Sequence, residues 1–417
     1  MRRRQLLGAS GAAVALAALR PLRARARGPI RKVVVVGAGF AGALAAKLLR
    51  QASDDIDVIL LERSVEFTSC PMSNLVIAGA RTITDLKLGF FWVSSRYGIK
   101  LATDEGTAID VDKQQVRLAR SSAIDYDRLI LAPGVDFAWD EMPGMAENDA
   151  RVLHAWKAGR QTSALRKQLE DMKDGGVFVI SIPPAPYRCP PGPYERACLV
   201  AGYLRNSKPR SKVIVLDANP DITAKGAAFR KAWAELYPGM IEYRPSSKVV
   251  GVDAATLTAR TETDSVKADV LNVIPPMRAA KPAASLAGPN GRWCEVDFLT
   301  YEARGAANVH VLGDSIAAPP AMPKSGHLAN AQAKVCVAAL LAQAAGKPVN
   351  PAPTLSETCY SFVSSGSAVL AKSEYRYDAE RKTMAPVADA ATVSEASDAN
   401  ARQAQAWARA IWNEMLK

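Results

Sequence analysis

The chain has 417 residues, 49% hydrophobic and 23% charged, with a formal net charge of +12. Two or three domains are expected at that length, and the composition fits a soluble globular enzyme with a sizeable core. Nucleic-acid binding is disfavoured: half of the positive excess is Arg2, Arg3, Arg4, Arg20, Arg23 and Arg25, and the other basic residues are scattered rather than set among aromatics.

The N-terminus reads Arg2-Arg3-Arg4-Gln5-Leu6-Leu7, then a weakly apolar run from Gly8 to Leu19, then Ala24-Arg25-Ala26. A charged start, an apolar middle and a small-residue cleavage site make an export signal. The paired arginines and mild hydrophobicity resemble a twin-arginine signal, whose route carries proteins already folded around a cofactor. An apolar stretch of about a dozen residues is too short to span a bilayer. Residues 1–26 are therefore expected to be removed, leaving a periplasmic protein with no integral membrane segment.

A β-branched run, Lys32 to Val36, leads into Gly37-Ala38-Gly39-Phe40-Ala41-Gly42 and a helical pattern from Ala43 to Arg50. A second strand, Asp57 to Leu61, ends in Glu62 and Arg63. Together these make one βαβ unit of a dinucleotide-binding site. Gly37 permits the tight turn, Gly39 lets the backbone approach a pyrophosphate, and Gly42 allows helix and strand to pack closely. The helix N-terminus supplies N–H groups to the phosphates, and Glu62 would accept from ribose hydroxyls. FAD and NAD share this motif, so it does not choose between them.

Further strands are expected at Leu129–Leu131, Val177–Ile182, Val213–Leu216, Val270–Ile274 and Val309–Leu312, alternating with helical stretches. The fold class that follows is α/β with doubly wound domains, and the resemblance carried by the segments below implies two Rossmann-like domains of the glutathione-reductase-like kind and a small C-terminal α+β domain. Residues 27–142 and 281–349 would form the dinucleotide-binding domain, residues 143–280 a second Rossmann-like domain, and residues 350–417 a cap over the cofactor. In the last segment Trp407, Ile411, Trp412 and Met415 fall at helical spacing, broken by Arg402, Arg409 and Glu414, which reads as a packing face.

The strand Val177–Ile182 runs into Pro183-Pro184-Ala185-Pro186-Tyr187-Arg188-Cys189-Pro190-Pro191-Gly192, where a nicotinamide-binding domain would place a glycine loop. Proline lacks the N–H and fixes φ, so this loop cannot cradle a pyrophosphate. NAD(P)H is therefore not expected as the electron partner.

Two segments resemble the flavoproteins that carry paired dinucleotide-binding domains. Tyr126 to Leu131 with Ala132-Pro133-Gly134 is similar to their exit from the FAD domain, and His310-Val311-Leu312-Gly313-Asp314 to their second FAD signature. That resemblance implies FAD, with Asp314 on a ribityl hydroxyl.

Closer still is the resemblance to the flavin subunit of flavocytochrome c sulfide dehydrogenases. Thr68-Ser69-Cys70-Pro71-Met72-Ser73-Asn74 resembles the segment whose cysteine attaches FAD covalently. Cys189-Pro190-Pro191-Gly192-Pro193-Tyr194-Glu195-Arg196 and Thr358-Cys359-Tyr360-Ser361 resemble the two segments of its redox-active disulfide. Pro323-Lys324-Ser325-Gly326-His327 and Ala329-Asn330-Ala331-Gln332 are similar to its flavin-proximal loop and helix. The resemblance implies FAD on Cys70, a catalytic Cys189–Cys359 disulfide, a carboxylate at Glu195 and positive charge from Lys324. It implies oxidation of sulfide to sulfane sulfur or polysulfide, with electrons passed to a c-type cytochrome subunit. No Cys-x-x-Cys-His haem motif is present, so any haem belongs to that partner.

Other readings stay open. Sulfide:quinone oxidoreductases share the fold and disulfide logic, a disulfide reductase would use NAD(P)H, and a flavin subunit could transfer electrons without sulfide chemistry. Cys198 and Cys336 read as buried small hydrophobes. Cys294, beside Trp293, could lie near the flavin. His154, His310 and His327 show no metal-ligand spacing.

Overall fold

The computed structural model describes residues 30–146 and 150–417, so the segment expected to be an export signal lies outside the described residues. Lys32–Val36 is the central strand of a five-stranded sheet, with Val33, Val34 and Val35 fully buried. Such an unbroken apolar run suits a parallel sheet covered on both faces. Asp57–Glu62 and Lys100–Thr103 follow on one side, Arg128–Leu131 and Val309–Val311 on the other, and every pairing is parallel. The Gly42–Ala52 helix buries Leu44, Ala45 and Leu49. Ridge spacing puts these on one side of the helix.

A second five-stranded parallel sheet is built from Val152–Leu153, Val270–Val273, Val177–Ile182, Lys212–Asp217 and Ile241–Arg244, in that order. Its helices Gly192–Ser207 and Gly226–Leu236 follow the strands Val177–Ile182 and Lys212–Asp217 across loops. An antiparallel pair, Val135–Phe137 with Met277–Ala279, ties the passage out of the first sheet to the passage back. The architecture is therefore the α/β one expected, with two parallel sheets. Strand bounds agree with the sequence reading to within a residue at each end.

The last part of the chain is an antiparallel hairpin, Thr354–Ser364 with Ser367–Asp378, and a closing helix, Asp398–Leu416. Ser397 caps that helix by accepting from the Asn400 N–H at 3.1 Å. Ala404, Ala408, Ile411, Trp412 and Met415 are buried, so the stripe is a packing face against Met72, Leu75 and Phe362. Among the described residues no helix is long and apolar enough to cross a membrane.

Candidate active site

Gly37, Glu62, Ala132 and Asp314 all sit at or just past the carboxyl ends of parallel strands, where ligands of open α/β sheets bind. Backbone bonds zip these ends together: Gly37 N–H to Leu61 O at 2.8 Å, Ala132 N–H to Val36 O at 2.8 Å, and Leu312 N–H to Leu131 O at 2.8 Å. A cavity of about 320 Å³ opens beside them, lined by Gly37, Gly39, Phe40, Ala41, Pro133 and Gly134 among others. An adjoining cavity of about 200 Å³ is lined by Glu62, Arg63 and Arg188.

The three glycines of the turn have separate physical reasons. Gly37 has φ +91°, and a Cβ there would meet Ala132 O at 2.4 Å. A Cβ on Gly42 would lie 1.8 Å from Gly37 O, so only hydrogen lets the helix meet the strand. Nothing lies within 4 Å of a Cβ built on Gly39, which faces open cavity. The helix beyond has no side-chain N-cap and no acid in its first turn, leaving its N–H groups for an anion. Glu62 accepts from Ala38 N–H at 2.9 Å and Ser64 N–H at 3.1 Å, which orients its carboxylate and leaves lone pairs to spare. Asp314 Oδ1 is buried without a partner, an acceptor waiting for a hydroxyl, and burial pushes its pKa up. This set fits FAD, with its phosphates at the glycine turn and a polyol at Asp314.

Three cysteines from remote parts of the chain line the larger cavity. Cys70 follows a short strand whose next residue, Ser69, is buried and accepts from Trp412 Nε1 at 3.0 Å. Its sulfur receives the Ala158 N–H at 3.5 Å. Cys189 stands in the proline loop with φ 57°, a conformation rarely held by non-glycine residues, and its N–H donates to Lys324 O at 2.9 Å. Cys359 comes from the hairpin, where alternation puts it on the same strand face as Glu357 and Ser361. Cys189 and Cys359 are unbridged in this structure, as are the other four cysteines. The fold brings the two sulfurs to one cavity, close enough that the charge of Cys359 acts on Cys189. Cys189 is exposed to that cavity yet hemmed in by protein, so its thiol is pushed up by burial and then by the charge of Cys359.

Glu195 also lines the cavity, and it is held from two sides. Asn74 Nδ2 donates to Oε1 at 2.8 Å and Phe362 N–H to Oε2 at 2.9 Å. Burial nevertheless pushes its pKa up. Behind it, Arg196 is 1% exposed and donates to Asn74 Oδ1, Asn272 Oδ1 and the carbonyls of His154 and Ala155. Arg196 is lowered by burial to about 9 and stays charged at neutrality.

Glu357 is a further carboxyl lining the cavity, which the sequence reading missed; it is 7% exposed and pushed up by burial, partly offset by Ser325, Lys225 and Ser373. Its signal was the strand alternation of residues 354–363. A carboxyl whose native pKa is raised holds its proton more tightly when folded. Its stability contribution is complete below the ordinary value of 4.5 and is lost as pH rises through the raised value. Serine hydroxyls can donate or accept, so Glu357→Gln is accommodated. That variant is expected to gain stability relative to the parent as pH rises from 4.5 to 8, read from denaturant melts at both pH values.

Lys324 departs from expectation. Its ammonium does not line the cavity: it donates to the carbonyls of Asp314 and Ile316 and lies 3.7 Å from the Trp293 ring centroid. Burial lowers it to about 8. Its role here is to hold the Asp314 loop, because the carbonyls outcompete the cavity for its three donors. Its charge still acts on Asp314, and further positive charge reaches the site from Arg188, which lines both cavities, and from Lys225, whose Nζ bonds the Cys359 sulfur at 3.2 Å. Lys225 carried no sequence signal.

Cys294 is buried, donates to Ala283 O at 3.1 Å and lies off the cavity wall, so the thought that it borders the cofactor is corrected. Cys198 and Cys336 are fully buried. His154 is lowered to about 3 by burial and neighbouring cations, and its Nδ1 accepts from Trp156 N–H at 2.9 Å, a structural role. Gly42 and Lys324 are thus the predicted site residues off the cavity wall, and Arg63 lines only the smaller cavity.

Comparison with known proteins adds three family matches. Residues 162–275 match the family described as the central part of the sulfide dehydrogenase [flavocytochrome c] flavoprotein chain, and residues 351–416 the flavocytochrome c sulphide dehydrogenase flavin-binding family. Residues 31–179 match the pyridine nucleotide-disulphide oxidoreductases. A sulfide dehydrogenase [flavocytochrome c] flavoprotein chain of Chlorobaculum thiosulfatiphilum is 50% identical over 46 residues, which is 96% of that sequence and 11% of this chain. A mitochondrial sulfide:quinone oxidoreductase of Dictyostelium discoideum is 24% identical over 377 residues, covering 84% of this chain and 79% of that one. The crystal structure of the sulfide:quinone oxidoreductase of Aquifex aeolicus superposes with a TM-score of 0.78 at 18% identity, covering 92% of each chain.

Proposed function

The chain belongs to the flavocytochrome c sulfide dehydrogenase flavoprotein family, and on that premise we propose that it oxidises sulfide or a similar small sulfur compound through Cys189 and Cys359. One observation carries the reading: two sulfurs, from the proline loop and from the C-terminal hairpin, line the same cavity as the glycine cradle. FAD, when bound there, supplies an acceptor that takes electrons in a pair and releases them singly. The two cysteines would form and reopen a bridge, exchanging with the sulfur substrate. Glu195 and Glu357, both raised by burial, are placed to hold protons beside those sulfurs. Arg188 lies where it can orient the cofactor across both cavities.

Cys70 lines the cavity near Cys189 and would anchor FAD covalently. The wild-type protein denatured in acid is then expected to keep its flavin by mass spectrometry, and Cys70→Ser to release all of it. The same spectrum would find a mature N-terminus at Arg27 if the protein is exported as read.

The proposed electron acceptor is a c-type cytochrome subunit, in line with the family and with the lack of a haem motif on this chain. Relatives matched over most of the chain include sulfide:quinone oxidoreductases, which favours quinone as the second reading. Sulfide-dependent reduction of cytochrome c, set against reduction of a short-chain quinone, separates them. Cytochrome reduction at least about tenfold faster supports the first, and the reverse order overturns it.

A further inference from the structure

The two sulfurs facing the cavity are not equivalent. Lys225 Nζ donates to Cys359 O at 2.8 Å, to Ser361 Oγ at 2.9 Å and to Cys359 Sγ at 3.2 Å. Three bonds to one short piece of strand fix the ammonium against that sulfur. Lys225 itself is held by its loop: it precedes the Gly226–Leu236 helix with φ 58°, and the nearby Thr223 N–H donates to Tyr194 Oη at 3.1 Å. Tyr194 is anchored in turn by donating to Asp217 Oδ2 at 2.6 Å. No hydrogen bond reaches the Cys189 sulfur among the described residues, and Cys189 is the exposed member of the pair while Cys359 is half-buried. One sulfur is open to the cavity, and the other is held by a cation.

We propose that Lys225 is a catalytic residue that makes Cys359 the leaving sulfur, so that the substrate adds to Cys189. The inference rests on the sulfur-oxidising reading above. In the step it governs, a lone pair of hydrosulfide forms a new S–S bond to Cys189 Sγ while the Cys189–Cys359 bond breaks. The bond's electron pair goes to Cys359, which becomes a thiolate against the Lys225 ammonium. Cys189 is left as a persulfide carrying the hydrosulfide proton. One negative charge enters and one remains, and the substrate sulfur is oxidised as the bridge is reduced. A second hydrosulfide then takes the outer sulfur from Cys189 and leaves as hydrodisulfide, returning Cys189 as a thiol, and the bridge would be restored when that thiol and the Cys359 thiolate give an electron pair and one proton to bound flavin.

Thiol exchange runs best through an accessible sulfur that expels a stabilised thiolate. Both conditions choose the same direction here. The charged groups around Cys359 are Lys225 from the loop before its helix, Glu357 on its own strand and Glu195 from the facing helix, with Cys189 across the cavity. Burial pushes the Cys359 thiol up, and Lys225 is the largest influence opposing that rise. At Cys189 the leading charge is that of Cys359, which adds to the effect of burial, while Arg188 and Lys225 oppose it more weakly.

The test uses the full flavin-loaded protein. With the pair reduced by dithiothreitol, alkylation by iodoacetamide is followed across pH, and each cysteine is quantified by peptide mass spectrometry. Cys359 is expected to titrate at the lower pH, and Lys225→Met to raise its midpoint by about one pH unit. Lys225→Arg, which keeps the charge, is expected to preserve the wild-type order. An unchanged Cys359 midpoint in Lys225→Met, or a lower midpoint for Cys189 in the wild type, overturns the role of Lys225. The wild-type comparison stands even if the methionine variant folds poorly. In a second arm the oxidised protein meets sulfide anaerobically and is quenched in acid. A persulfide on Cys189 is expected, and one on Cys359 overturns the direction of attack. No persulfide on either overturns the sulfide reading itself, while the alkylation profile still decides Lys225.

Discussion

Replacing Cys359 by serine is expected to lower sulfide-driven flavin reduction by about three orders of magnitude while leaving flavin content and the fold unchanged. Serine can neither form a bridge nor accept electrons at sulfur, so the exchange path is removed rather than slowed, and residues acting as one unit fail together. Cys189→Ser is expected to cost as much, and the double variant little more than either. The substitution is nearly isosteric, and Lys225 can donate to the new hydroxyl as it does to Ser361, so stability should fall by about 1 kcal/mol or less. Stopped-flow bleaching of the flavin by sulfide under anaerobic conditions is the measurement. Bleaching at the wild-type rate would mean that the chain carries electrons without disulfide chemistry, and the catalytic reading would be abandoned.

The second large effect is at Gly42. Its missing side chain would overlap Gly37 O at 1.8 Å and approach Gly37 C at 3.0 Å, both backbone atoms with no rotamer to yield. In Gly42→Ala the helix must move away from the strand by about an ångström or more, and overpacking of this kind costs about 1–3 kcal/mol or more. The same movement withdraws the helix N–H groups from the phosphates. Gly42→Ala is therefore expected to melt earlier and to purify with little or no flavin. Gly39→Ala is the contrast, since its Cβ would meet no protein atom within 4 Å. That variant should melt like apo wild type and still lose flavin, because the methyl occupies cofactor space. Absorbance ratios and thermal melts of the two variants read this directly. Flavin retained by Gly39→Ala would place the pyrophosphate elsewhere.

The proline loop shows how far a local rule reaches. Proline at 183, 184, 186, 190 and 191 was enough to expect a loop without phosphate-binding N–H groups. That Cys189 occupies the cavity wall beside Trp156 depends on the second sheet standing against the first. Lys324 teaches the converse. A lysine in a motif next to the flavin signature promised charge at the cofactor, yet three donors found carbonyls and an aromatic face first. Buried ammonium groups go where acceptors are densest, and no pattern along the chain shows where that is.

What the sequence by itself determined are the features set by backbone sterics and short-range periodicity. The glycine turn, the valine-rich first strand, Glu62 at the end of the second and the apolar stripe of the last helix each act over a few residues. Only the tertiary structure decided which charges meet which sulfurs. Lys225 and Cys359 are 134 positions apart, and Asn74 and Glu195 are 121 apart, yet each pair touches. Such contacts follow from how two sheets and a hairpin pack, a sum over many distant apolar surfaces that leaves no mark near either residue.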